Sequence, residues 1–595
     1  MITSQFLLSS IVDLNSPAHY FTWSIITISV ANLALIVAML VIFGLALLLP
    51  FGKSSSIKEL AEVVQEPVVH TEPAAGNASM LTFRLRRYIR NKLTLDQLIP
   101  DKQPAYVASW VYVFGVATLA ALGIAIVSGF LIALGGVDWW HTNEVGHFFN
   151  SLHLWSVEAF MAFMVIHLWG KFWMAAWRGK RAKTWMTGVL AFLASIVEAF
   201  TGYLSQQNFD SQWISTNGKD AFNAAGVGSF FNLMNFGQMI LWHVVLIPIV
   251  LVFIVGIHVL LVRIKGVVTP IETERKYFSK KVRTQVPPVK IPYKKYDIIK
   301  EGIIASTIVT ILVVVLSVLL SSPDMPPVTI KSWATIAPAD FLATAANELA
   351  GSSETATYGP PYNNGDSNVQ SLLISWQKLA GVHYKINPAD TFVINPLKAV
   401  SGADPLLKKA IETYTTASSS QQNKWDQNYI KALEKVSFKN NKPVLPKGDY
   451  GPVAYMLSTE LTLAQNGAID ADLLANRQFY GNDFTKPLLF MEDGQYFSSL
   501  AAQQHLIGSQ WGVMNETGSY PGQPWLWLYS LWYQVPGFKT SPNVDLIAIY
   551  LTGICTVLLL LVPFIPGLRD IPRIIPIHKL VWRDWYKNEK ELLKN

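Results

Sequence analysis

The sequence predicts an all-α membrane protein, with seven transmembrane helices, four of them in a bundle, and a mainly α/irregular domain outside the bilayer. Three observations carry this. Of 595 residues, 51% are hydrophobic and only 15% are charged, against about 25% charged in soluble proteins. Seven apolar stretches, at 21–49, 106–134, 147–170, 184–204, 238–262, 302–321 and 545–566, are each long enough to cross a bilayer core of about 30 Å. Lysine and arginine gather between them: segments 51–104, 171–183, 263–301 and 567–595 hold 8, 5, 11 and 7 of the 47.

The same composition excludes several classes. It is too apolar for a disordered chain, a coiled coil or a purely water-soluble enzyme. The single cysteine, Cys555, rules out a disulfide framework, cysteine-based zinc sites, an iron–sulfur cluster held by this chain and a covalently attached c-type haem. The net charge of +7 reads as topology, because the basic residues flank membrane helices at the lipid surface; nucleic-acid binding is not expected. Seven crossings with the basic loops inside place the N-terminus outside and the C-terminus in the cytoplasm of a prokaryotic cell, in its plasma membrane.

Taken in order, residues 1–50 form an additional N-terminal transmembrane helix, too long for a signal-peptide core and without a basic n-region. Residues 51–104 are a cytoplasmic linker ending in a basic amphipathic surface segment, Arg84–Lys92. Residues 105–265 form the bundle, and 266–321 a cytoplasmic loop and the sixth helix. Residues 322–544 are an extracytoplasmic insertion punctuated by Asn-Asn, Gly-Asp and Pro-Pro turns. Residues 545–595 are the last helix and a cytoplasmic tail. Within the insertion, Tyr358-Gly359-Pro360-Pro361-Tyr362-Asn363-Asn364 reads as a rigid turn whose aromatic faces contact a partner or cover the outer end of the bundle. His383 and His505 stand alone and read as surface residues.

Four histidines lie inside apolar stretches: His153 and His167 in the third, His243 and His258 in the fifth. At 100° per residue, 14 and 15 steps leave the members of each pair about 40° and 60° apart, separated by roughly 21–23 Å along the axis. The two helices run in the same direction, so His153 is level with His243 and His167 with His258. Two facing imidazoles at each level make two bis-histidine axial sites, and two b-type haems fit them better than zinc or copper. Gly115 and Gly129 on the second stretch, and Gly188 and Gly202 on the fourth, repeat the spacing of 14. They would let the flanking backbones approach a flat macrocycle.

Ser128-Gly129, Ser151–His167, Thr184-Trp185–Gly188, Gly202-Tyr203-Leu204 and His243–Pro248–His258 resemble the cytochrome b family of quinol:cytochrome c/plastocyanin reductases. The likeness covers about 105–321 and, more weakly, 520–566. The histidine spacing and Pro248 look like the plastid-type branch, and Lys290–Ile303 is similar to the segment leading into that family's fifth core helix. The resemblance implies a low-potential haem on His153 and His243 and a high-potential haem on His167 and His258. Departures fall on the outer side. The family's Pro-Glu-Trp-Tyr appears as Pro524-Trp525-Leu526-Trp527, without its glutamate. Ser205-Gln206-Gln207-Asn208 replaces Pro-Trp-Gly/Asp, and Asn150 stands where an arginine is expected. On the inner side Lys171 and Arg263 either neutralise haem propionates or a quinone anion, or anchor the helices at the lipid surface.

Glu158 and Glu198 lie deep in membrane stretches, where a carboxylate is costly and marks a functional site by default. With Trp525 and Trp527 they are the candidate proton and quinone residues. The expected function is electron transfer through two haems as the cytochrome b subunit of a respiratory quinol-oxidising complex. Quinone or quinol would be the substrate, in a dimeric assembly with a Rieske iron–sulfur protein and a cytochrome c or terminal oxidase. The alternative is a dihaem anchor coupling another redox enzyme to the quinone pool without bifurcation.

Overall fold

A computed structural model describes residues 12–51, 95–273, 291–474, 482–508 and 514–592. The amphipathic stretch Arg84–Lys92 lies outside them. Seven helices in the described residues are long and apolar enough to cross a membrane. They are α1 (Val30–Leu48), α2 (Phe114–Gly135), α3 (Glu144–Trp173), α4 (Ala182–Ser205), α6 (Phe236–Lys265), α7 (Ile298–Leu320) and α11 (Val544–Leu561), with the shorter α5 (Phe209–Ala224) between α4 and α6. Each matches one apolar stretch.

The first differs at its start. Residues 20–29 form an antiparallel hairpin, β1 (Tyr20–Trp23) on β2 (Ile26–Ser29), instead of the opening turns of a helix. Aromatic, threonine and isoleucine side chains suit a pleated ribbon, and Ser24 turns the chain at φ 56°. Ser29 then caps α1 by accepting from Asn32 N–H. The 19 residues left still span roughly 28 Å at 1.5 Å per residue.

Two helix pairs build the bundle: α2 packs along α3, and α4 along α6. Helix α7 closes over α2 and α3, α11 over α4, and α1 over α3. Polar ends fix the helix starts. Asn143 caps α3 by accepting from Val145 and Gly146 N–H at 2.9 and 3.2 Å, and Asp297 caps α7 through Lys300 N–H at 3.0 Å. At one end of the bundle a short ribbon pairs β3 (Lys102–Pro104) with β4 (Tyr293–Lys295).

At the opposite end sits the insertion. Its core stacks Trp333, Phe341, Phe392 and Phe490 on α8 (Pro338–Ala350), α9 (Val453–Gln465) and α10 (Gln495–Gln503). Phe209, Met234 and Phe236 from the α4–α6 connection belong to the same core, so that connection and the insertion fold as one body. A hairpin of β5 (Ser437–Lys439) and β6 (Lys442–Val444) turns on Asn440 and Asn441, both at positive φ. The Tyr358–Asn364 turn faces inward, contrary to its reading as a partner contact: Tyr358 and Tyr362 are buried, and Tyr358 Oη donates to Asp220 on α5. It staples the insertion to α5. His383 and His505 are exposed, as expected.

Residues 514–523 leave the insertion and run back over the bundle. Buried Asn32 on α1 holds them: its Nδ2 donates to Asn515 Oδ1 at 2.9 Å and Met514 O at 3.2 Å, and its Oδ1 accepts from Gly522 N–H at 2.8 Å. Asn32→Leu strands these partners, each buried unpaired group costing about 1–3 kcal/mol. We expect a lower unfolding midpoint in detergent and faster proteolysis between 505 and 530; an unchanged midpoint would show the anchor to be dispensable.

Candidate functional site

The four histidines face inward from α3 and α6. His153 and His243 meet ring to ring, centroids 6.1 Å apart and planes at 82°. Helix α6 reaches this register through a π-turn at Trp242–Leu246, in which Ile247 N–H bonds back five residues to Trp242 O. Pro248 follows directly and brings no N–H with which to close an α-turn. A π-turn absorbs one extra residue with little net rotation. The 15 steps from His243 to His258 therefore turn like 14, and both pairs stand about 40° apart. The expected 60° assumed an unbroken α-helix.

Each of the four glycines abuts one of these rings. A Cβ on Gly115 would lie 3.0 Å from His167 Cε1, on Gly129 2.8 Å from His153 Cε1, on Gly188 3.0 Å from His258 Cε1, and on Gly202 2.5 Å from His243 Cε1. The sequence reading placed the glycines against a macrocycle; here they admit the imidazoles. Gly202→Ala should be the most disruptive change, Gly129→Ala next, and the other two mildest. Overpacking of this kind costs about 1–3 kcal/mol. Thermal unfolding of the four variants checks the order, and equal midpoints would overturn it.

The carbonyl four residues before the glycine holds the outer edge of three rings. Nδ1 of His153 meets Ala125 O at 3.0 Å, Nδ1 of His243 meets Glu198 O at 2.9 Å, and the His258 ring hydrogen-bonds the Thr184 backbone. The hydroxyls of Ser128 and Thr187 add contacts at 3.1 and 3.2 Å to His153 and His258. A carbonyl only accepts, so Nδ1 carries the proton and Nε2 keeps a free lone pair. His167 differs. The residue four before Gly115 is Val111, in a 3-10 turn (Trp110–Tyr112), and His167 Nδ1 has no partner among the described residues.

This donor set fits haem. Two neutral imidazoles at a level are too few for a side-chain tetrahedral metal site. They suit an iron whose macrocycle fills the remaining positions, with Nδ1 hydrogen bonds setting ring orientation and basicity.

The other candidate residues scatter around these levels. Lys171 lies over the Tyr112 ring at 4.8 Å and close enough to His167 and His258 to act on them through its charge. Arg263 is half-buried on the last turn of α6, near Tyr296. Glu198 Oε1 is 3.3 Å from His243 Nδ1, so this acid is a neighbour of the ring as well as its backbone anchor. Glu158 is buried on α3 with Oε2 unpartnered among the described residues. Trp525 packs with Tyr520 and Trp155, its Nε1 unpartnered, whereas Trp527 opens the next helical turn outside that cluster.

One acid was missed. Glu516 is buried with both carboxylate oxygens unpartnered among the described residues, and it is near enough to Glu158 and Tyr520 to interact with them electrostatically. Burial lifts its pKa to about 8. It lies eight residues before Pro524, in a polar stretch that gives no periodic signal. Neighbouring Thr517 donates to buried Asp210 on α5 through its N–H and hydroxyl at 2.7 and 2.8 Å.

The fold and the paired histidines define a multi-pass helical membrane protein of the b-cytochrome type. The family described as cytochrome b(N-terminal)/b6/petB matches residues 158–327, and in this core the chain is similar to cytochrome b family proteins. It is 26% identical over 214 residues to the cytochrome bc complex cytochrome b subunit of Chlorobaculum thiosulfatiphilum, covering 32% of this chain and 49% of that protein. It is 25% identical over 190 residues to cytochrome b6 of Heliobacterium mobile (28% and 89% of the two chains). It is 24% identical over 201 residues to the menaquinol:cytochrome c reductase cytochrome b subunit of Geobacillus thermodenitrificans (30% and 90%). The chain thus spans about half the length of the Chlorobaculum protein. Among solved structures, a chain of a hyperthermophilic respiratory Complex III aligns over 66% of this chain and 97% of that one, at 16% identity and a TM-score of 0.31, a superposition on which nothing further rests.

Proposed function

We propose that the protein is the cytochrome b subunit of a respiratory quinol-oxidising, bc-type complex, with two haems b held by His153 with His243 and by His167 with His258. The facing of His153 and His243 across 6.1 Å carries the reading. Iron bound there would supply reversible one-electron transfer. The chain's own part is to hold two sites about 21 Å apart along the axis, a conduit for electrons across the bilayer. The glycines admit the rings, and the backbone carbonyls fix their tautomers. Lys171 and Arg263 supply positive charge at the inner level for propionates or a quinone anion. At the outer level Glu158, Glu516 and Trp525 offer unpartnered polar atoms for a quinol hydroxyl and its proton.

On this reading the N-terminus and 322–544 are outside a prokaryotic plasma membrane, and a Rieske protein and a cytochrome c or terminal oxidase complete a dimeric complex. The centres that need cysteine would lie on those partners. The missing motif glutamate and Asn150 favour a second reading, the dihaem anchor without bifurcation. Purification from the native membrane tests both. We expect two b haems per chain by pyridine haemochrome, reduction by duroquinol, and a co-purifying Rieske protein. Haem without the Rieske protein selects the anchor; no Soret band ends both readings.

A further inference from the structure

A second set of buried polar side chains lies away from the histidines, at the seam joining the insertion, α5 and α11. Tyr529 Oη and Tyr533 Oη are 2.9 Å apart, and Tyr533 donates to Asp545 Oδ1 at 2.6 Å. Gln370 of the insertion donates to the other oxygen of Asp545. Asp545 in turn lies close enough to Asp220 and Lys219 on α5 to feel both charges. Asp220 accepts from Tyr358 Oη, and Lys219 Nζ sits 3.2 Å from Asp220 and 2.7 Å from Glu492. Burial opposes the Lys219 charge, but Asp220 and Glu492 outweigh it and hold the ammonium well above the usual lysine range.

Tyr533 is buried, Tyr529 and Asp545 are half-buried, and the carboxylates around Lys219 reach toward solvent. The Lys219 side chain is 4% exposed, while Glu492 and Asp220 reach 27% and 33%. The inner end begins at Tyr529, one helical turn beyond Trp525 in the continuous stretch Pro524–Leu531. Tyrosine hydroxyls both donate and accept, and a carboxyl takes a proton at one oxygen while releasing one from the other. Hydroxyl, hydroxyl and carboxylate are linked in series at Tyr529, Tyr533 and Asp545, an arrangement that docking the insertion would not by itself require.

We propose that Tyr529, Tyr533, Asp545 and Asp220 form a proton-release path from the outer end of the bundle to the insertion's surface, with the Lys219 ammonium beside its exit. This rests on the quinol-oxidation reading above. The proton taken up at Tyr529 displaces that residue's own proton to Tyr533, whose proton goes to Asp545. Half-buried Asp545 passes one on through water toward Asp220 and the surface. Each hydroxyl ends with as many protons as it began, and no electron moves along the row. The insertion is then part of the proton chemistry and more than a cover.

The test uses the whole complex with duroquinol as donor, following haem reduction by stopped flow in H₂O and D₂O across pH. Asp545→Asn keeps the shape but not the acid, and Tyr533→Phe removes one hydroxyl. We expect quinol-driven reduction to fall by about 10²-fold in each, with a larger solvent isotope effect and a displaced pH profile. Dithionite-reduced spectra should stay unchanged, and Asp545→Glu should restore the rate. Unchanged rates and pH profiles in both variants overturn the path while leaving quinol oxidation standing. Slowing without any change in isotope effect or pH profile assigns the row to docking and also overturns it. An unaltered complex that duroquinol cannot reduce defeats the quinol reading and the path with it.

Discussion

On the proposed assignment of two haems per chain, alanine at His153 should lower the haem content of the purified protein to one. The imidazoles of His153 and His243 face each other as a unit, so losing either would leave a single imidazole to hold a haem at that level. The double variant His153→Ala/His243→Ala should then lose no more than either single variant, the non-additivity expected of residues that act together. Pairing His153→Ala with His167→Ala crosses the two levels and should leave no haem. Pyridine haemochrome stoichiometry reads each outcome directly. A chain that keeps both haems without His153, or loses both with His153 alone, would refute two independent levels.

Lys219→Met should give the largest loss of stability outside the membrane. The substitution leaves Asp220 and Glu492 facing a thioether at 3.2 and 2.7 Å from where an ammonium stood. Removing one member of a buried ion pair costs about 3–5 kcal/mol, and the partial exposure of both carboxylates places this case near 3. Tyr358, whose ring lies 5.5 Å beneath the ammonium, loses a cation–π contact as well. The insertion should melt or become protease-sensitive well before the haem spectrum changes. Replacing Glu492 with glutamine in the same chain should recover part of the loss, because one unpaired charge is gone. A Lys219→Met protein that melts like its parent would show the network to be solvated in solution.

Much of the membrane part was legible because hydropathy and histidine spacing are periodic along a single helix. The ends of α7 and α11 fall within a few residues of the stretches that announced them. Two features escaped for local reasons. Residues 20–29 are as apolar as a helix but carry threonine and aromatic side chains that favour a ribbon, and hydropathy does not separate the two. The π-turn at Trp242–Leu246 changes rotation without changing composition, and only Pro248 hinted at it. Tertiary partners were the least readable. Glu516 meets Glu158 from a segment more than 350 positions away in the chain. Lys219 is the one basic residue between 205 and 236, and nothing along the chain marks Glu492, far downstream, as its partner.

The tie between Asn32 and Asn515, 483 positions apart in the chain, has a consequence for biosynthesis. A ribosome adding roughly 5–20 residues per second needs about 25–100 s to make the residues between them. Throughout that interval α1 has left the translation machinery with a carboxamide whose partners do not yet exist. During synthesis, then, the polar side chain that later fastens the first helix is its weakest point.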